Sequence, residues 1–110
     1  MLRLDWQKIS EQEIRVLVKG ALLIGPDASR LRELLSILVP AYPDTVVDLA
    51  GLNKIDSTGV GLLVESYSLA RKHQHRLRLV NAAGRVREVL LLVKLLTVFE
   101  EDGKTRGQAA

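Results

Sequence analysis

The sequence predicts an α/β fold: a single domain with a mixed β-sheet of about four to five strands and helices packed on it, in the order ββαβαβαβ. Three observations predict it. Two segments within the first twenty residues, 2–6 and 14–19, alternate with a period of two. Beyond them, segments with helical spacing alternate with short apolar runs, the pattern of strands joined by right-handed crossovers. And 110 residues, 47% apolar and 26% charged, suffice for one core but not for two ordinary domains.

Leu2, Leu4 and Trp6 alternate with Arg3 and Asp5 until Ser10-Glu11-Gln12 breaks the run. Ile14, Val16 and Val18 resume it as far as Gly20, so an antiparallel hairpin is expected. Gly25-Pro26-Asp27 opens a helix, with Pro26 and Asp27 suited to its cap or first turn. Leu31, Leu34, Leu35 and Leu38 form its apolar stripe, and Pro40 and Pro43 end it. Thr45 to Leu49 reads as a short buried strand and Ala50 to Ile55 as a loop. A second helix follows to about His73, with Val60, Leu63, Val64, Tyr67 and Ala70 facing inward. Arg76 to Val80 is a further strand. Gly84 precedes a third helix with Val86, Val89, Leu90 and Val93 as its stripe, and Thr97-Val98-Phe99 reads as a last short strand. The domain is expected to span residues 1–100, and the polar residues 101–110 to form a flexible tail.

Composition narrows the function classes. With no cysteine, disulfides, thiolate zinc sites and cysteine nucleophiles are excluded. Aromatics at 4% leave no stacking platform for single-stranded nucleic acid, and no groove-reading element is visible, so no direct nucleic-acid partner is expected. No apolar run reaches membrane-spanning length, and MLRLDWQKIS places acid and amide where a secretory signal needs apolar residues. A cytoplasmic protein without membrane insertion is expected. The net charge is +3, but residues 71–94 hold Arg71, Lys72, Arg76, Arg78, Arg85, Arg87 and Lys94 against the single acid Glu88. Such a block either attracts an acidic partner or forms solvated helix faces. His73 and His75 have no acid or cysteine at ligand spacing, so neither a metal nor a cofactor is expected. No acid, base and nucleophile converge, which argues against an enzyme.

One stretch stands out. Asp56-Ser57-Thr58-Gly59-Val60-Gly61 joins a strand and loop to a helix N-terminus. Asp56 suits the N-cap, where its carboxylate accepts from first-turn N–H groups. Ser57 and Thr58 fall in that turn, where the helix dipole and free amides favour a phosphate. Gly59 and Gly61 each cost about 1 kcal/mol relative to Ala inside a helix, a cost that suggests close approach by another molecule. By itself the stretch also fits a plain cap and turn. It lacks the Lys of a P-loop and the glycine spacing of a dinucleotide site.

The region VVDLAGLNKIDSTGVGLLVESYSLARKHQHRLRLVNAAGRVREVLLLVKLLTVFEED resembles the STAS domains of bacterial anti-sigma factor antagonists. The family shows an apolar strand ending in Asp/Asn-Leu, then a loop and Asp-Ser-Ser/Thr-Gly-Leu/Val-Gly. A long helix, a strand ending near Val-Asn, a helix with paired leucines and a Leu-x-x-x-Phe ending follow. All occur here in that order, and the resemblance runs from about Leu4 to Glu100. It implies a STAS-like domain that binds an anti-sigma factor, itself a serine kinase, through Asp56, Ser57, Thr58, Gly59, Val60 and Gly61. It also implies phosphorylation of Ser57, with adjacent Thr58 as the alternative acceptor, and a serine phosphatase that resets the switch. Many members carry an acid after Gly-x-Leu; here the segment is Gly20-Ala21-Leu22-Leu23, and Asp27 is the nearest acid. The other function consistent with the resemblance is a constitutive docking subunit of a transporter or signalling complex. In the third helix, Leu91 or Leu92 is expected either to face outward, as a contact for a partner or for self-association, or to be buried with the helix sandwiched. The chain is expected to be a monomer or a weak homodimer. Trp6 is expected to cover one end of the sheet.

Overall fold

A computed structural model of the chain describes residues 1–92. Its elements run β1 (Leu2–Lys8), β2 (Glu13–Leu22), α1 (Pro26–Ala41), β3 (Asp44–Ile55), α2 (Ser57–Lys72), β4 (Arg76–Val80) and α3 (Gly84–Leu92). The strands form one sheet in the order β1-β2-β3-β4. β1 and β2 are the antiparallel hairpin that period-two alternation predicts, with Leu4 opposite Val18 and Trp6 opposite Val16. β2, β3 and β4 are parallel, so their C-terminal ends lie together at one end of the sheet. Thr97-Val98-Phe99, Val93 and the tail lie outside the described residues.

Alternation decides the packing. Ile14, Val16 and Val18 of β2, Val47 and Leu49 of β3, and Leu77 and Leu79 of β4 point to one face. There they meet Leu31 and Leu35 of α1, Leu62 and Leu63 of α2, and Val86 and Leu90 of α3 in one core. The opposite face is charged. Glu13, Asp44 and Arg76 stand in one row and Arg15, Val46 and Arg78 in the next. Ion pairs cross it between Arg76 and Asp44 at 3.4 Å, Arg78 and Glu13 at 3.9 Å, and Arg15 and Asp48 at 3.5 Å. Val46 is fully buried on this side and stands outside the main core.

Five sequence expectations change. β3 continues through Ala50 to Ile55, where a loop was expected: it stays paired to β2 as far as Ile55 opposite Leu22, accommodated by two register irregularities. α1 runs past Pro40 to Ala41. Pro43 ends it by holding Tyr42 extended (φ −127°, ψ 133°). The α1 stripe is Ala28, Leu31, Leu35, Leu38 and Val39, with Leu34 only partly buried. In α2 the buried residues are Gly59, Leu62, Leu63, Ser66 and Ala70; Val60 and Tyr67 are half-buried and Val64 is exposed. The true inner face is rotated by roughly three-quarters of a residue step, at about 100° per residue, from the expected one. Trp6 does not cap an end of the sheet; it stands on the edge strand, 56% exposed.

Candidate functional site at the N-terminus of α2

β3 delivers the chain at Ile55, and Asp56 turns it into α2. Asp56 is extended (φ −115°, ψ −174°) and accepts from the Gly59 N–H at 3.0 Å, as an N-cap should. Its other carboxylate oxygen accepts from the Ile24 N–H at 2.9 Å, and its own N–H donates to the Leu22 carbonyl at 3.3 Å. Asp56 therefore clasps the β2–α1 loop to the start of α2. These N–H groups, Ile24 first and then Gly59, hold its carboxyl below the usual carboxylate range.

Gly59 is buried, and the reason lies within the chain. A Cβ there would stand 2.7 Å from Ile55 Cγ1 and 2.9 Å from the Leu22 carbonyl oxygen. Its missing side chain lets Leu22 and Ile55 close against the helix, so the expectation that Gly59 admits another molecule is corrected. Gly61 differs: it is exposed, with nothing within 4 Å of a Cβ. Ser57 is exposed, while Thr58 and Val60 are half-buried.

Ser57, Gly61, Val64 and Ser68 are all exposed and recur at i, i+4, i+7 and i+11, one outward stripe of small side chains along α2. Beside its first turn, the loop held by Asp56 presents Leu23, 38% exposed, and Ile24, 77% exposed. The sequence does not mark Leu23, Ile24 and Val64 as surface residues, yet all three are exposed. Leu23 and Ile24 continue the apolar character of β2 without a visible break, and Val64 fits an inner stripe in the wrong phase. Leu91 and Leu92 are 43% and 81% exposed, in the last turn of α3.

The remaining candidates have partners inside the chain. Asp27 accepts from the Leu2 N–H at 3.1 Å and pairs with Arg30 at 3.1 Å, so it does not supply a free acid in place of Leu23. Asp48 accepts from the Ala50 N–H at 3.0 Å and Asn81 Nδ2 at 3.1 Å, besides Arg15. Arg76, Arg78 and Arg85 have acidic neighbours, so these three of the basic block are partly neutralised within the chain. His75 Nδ1 lies 2.9 Å from the Val39 carbonyl oxygen. Among the described residues no group of His, Asp and Glu could hold a metal ion, and no helix is long and apolar enough to cross a membrane.

Among the described residues, a four-stranded mixed sheet carries three helices, with the capped N-terminus of α2 beside the β2–α1 loop, an arrangement consistent with a STAS domain. The chain belongs to that family: residues 7–99 match the family model STAS_2, described as "Mlab, STAS domain". It is similar in structure to an anti-sigma factor antagonist from Mycobacterium paratuberculosis (TM-score 0.75, 22% identity, 90% of this chain and 83% of that one). A sulfate transporter family protein from Wolinella succinogenes is also similar (TM-score 0.73, 20% identity, 86% and 78%). So is the phosphorylated form of the Bacillus cell fate determinant SpoIIAA (TM-score 0.71, 19% identity, 84% and 85%). At these identities the likeness establishes the fold. None of the curated proteins matches the sequence.

Proposed function

We propose that this protein is an anti-sigma factor antagonist that docks on its partner through the first turns of α2 and the β2–α1 loop, under the control of phosphorylation at Ser57. The observation that carries this reading is the exposed Ser57 at the first position of α2, flanked by Ile24 and the open Gly61. Unmodified, this surface joins small hydroxyl and glycine residues (Ser57, Gly61, Ser68) with the apolar Leu23, Ile24 and Val64, suited to close contact. A phosphoserine adds a charge of about −1.5 to −2 and three acceptor oxygens. The helix N-terminus tolerates that charge in the free protein, but a desolvated apolar contact does not. The partner is an anti-sigma factor that is also a serine kinase; a serine phosphatase resets the switch. The chain itself acts by binding.

A constitutive docking subunit of a transporter or signalling complex, without phosphorylation, is the second reading. It is favoured by Leu23, where many antagonists have an acid, and by the internal bonding of Asp27 and Asp56. The same surface would then form a permanent contact.

Incubating the chain with a kinase-type anti-sigma factor and ATP, followed by mass spectrometry, separates the two readings. Phosphate on Ser57 supports the switch. Phosphate on the half-buried Thr58 would move the acceptor by one residue, and a chain that is neither modified nor bound by the anti-sigma factor would favour constitutive docking on another complex.

A further inference from the structure

A second surface lies away from α2. β1 is a terminal strand of the sheet, so its outward backbone groups have no neighbouring strand among the described residues. Its pairing with β2 is unbroken from Leu2 to Lys8; it lacks the bulge or proline that commonly protects an edge. Beside it, against α1, Leu4, Trp6, Leu34 and Ile37 form the apolar floor and walls of a groove of about 400 Å³, rimmed by Arg30 and Glu33. Ile37 is 62% exposed, and Trp6 is the chain's one tryptophan.

We propose that this edge joins two copies of the chain, β1 against β1, antiparallel about Leu4. The argument for a second copy is self-complementarity of charge. Arg3 and Asp5 are both exposed and have no ion-pair partner among the described residues. With Leu4 opposite Leu4 of the second copy, Arg3 stands opposite Asp5 of that copy and Asp5 opposite its Arg3, as a two-fold contact requires. Centring the pairing on Asp5 would oppose two carboxylates, so charge selects the register. On the face that carries α1, the two grooves then adjoin, and each Trp6 and Ile37 is covered. The strands gain ladder hydrogen bonds while the apolar edge leaves water. The α2 docking surface lies elsewhere on the fold, so this inference stands or falls independently of the proposed function.

Sedimentation of the full chain over a concentration series, with Trp6 fluorescence read on the same samples, tests it. A monomer–dimer equilibrium is expected, with Trp6 emission shifting to the blue over the same concentration range. Arg3→Asp and Asp5→Arg should each weaken association by roughly tenfold or more, because each sets like charges face to face. The double variant R3D/D5R should restore it. A chain that stays monomeric throughout would overturn the proposal, as would a dimer indifferent to the single swaps. So would a dimer whose Trp6 emission does not move, which would place the contact elsewhere, as at Leu91 and Leu92. Single swaps that weaken association without rescue in the double variant would overturn the Leu4-centred register.

Discussion

Gly59 and Gly61, two residues apart in the first turns of α2, have opposite surroundings. Gly59 is walled in by Leu22 and Ile55, whereas Gly61 faces open space. Gly59→Ala should destabilise the fold by about 1–3 kcal/mol through overpacking. Gly61→Ala should stabilise it by up to about 1 kcal/mol, because Ala loses less chain entropy in a helix. Thermal denaturation of both variants checks the pair of signs. Asp56 adds a pH dependence. Its carboxyl is held below its ordinary value of 3.8, so its contribution to stability is complete above that value and is lost as pH falls through the lower, folded-state value. Asp56→Ala should therefore melt below the parent at neutral pH, and the gap between them should narrow in acid. Melting curves from pH 7 down to about pH 2 test this; a constant gap would contradict it. The cap role of Asp56 was legible in the sequence because Asp before Ser-Thr-Gly is a local signal. Its bond to Ile24 was not, since 32 residues separate the two. The burial of Gly59 was hidden for the same reason: the walls that require it come from β2 and the end of β3.

Among the elements, the hairpin and the start of α1 read directly from periodicity and from Gly25-Pro26, while the end and inner stripe of α1 shift by a few residues. α2 did not, because apolar residues occupy almost every side of it and two phases fit equally well. The choice between them falls on Gly59 and on Ser66, which is buried because its hydroxyl donates to the Leu62 carbonyl at 3.0 Å; neither counts as apolar in a stripe. The second half of β3 was equally hidden. Ala50, Gly51, Asn53 and Lys54 have weak strand propensity, and pairing with β2 overrides it. Asp48 anchors this region. It gathers the Ala50 N–H, Arg15 and Asn81, the last in a left-handed conformation (φ 63°) where β4 gives way to α3. Asp48→Ala would leave these donors without their acceptor and should cost about 2–3 kcal/mol. Chemical denaturation measures it, and a change below about 0.5 kcal/mol would show that Asp48 does not anchor the β4–α3 connection.

Across the molecule, the sheet separates three surfaces: a helix-covered core face, a charge-balanced opposite face, and an end where strand C-termini, the β2–α1 loop and the start of α2 meet. The last is where crossover folds place ligands, and here it offers an exposed hydroxyl with apolar neighbours, without convergent acid–base groups. On the proposed function, negative charge at Ser57 removes partner binding while the fold stays intact. Calorimetric titration of a kinase-type anti-sigma factor with the parent chain, Ser57→Ala and Ser57→Asp tests it most directly, with circular dichroism confirming the fold of each. Ser57→Ala should bind within about threefold of the parent, and Ser57→Asp at least roughly tenfold more weakly. Equal affinities for the Ala and Asp variants would contradict the account.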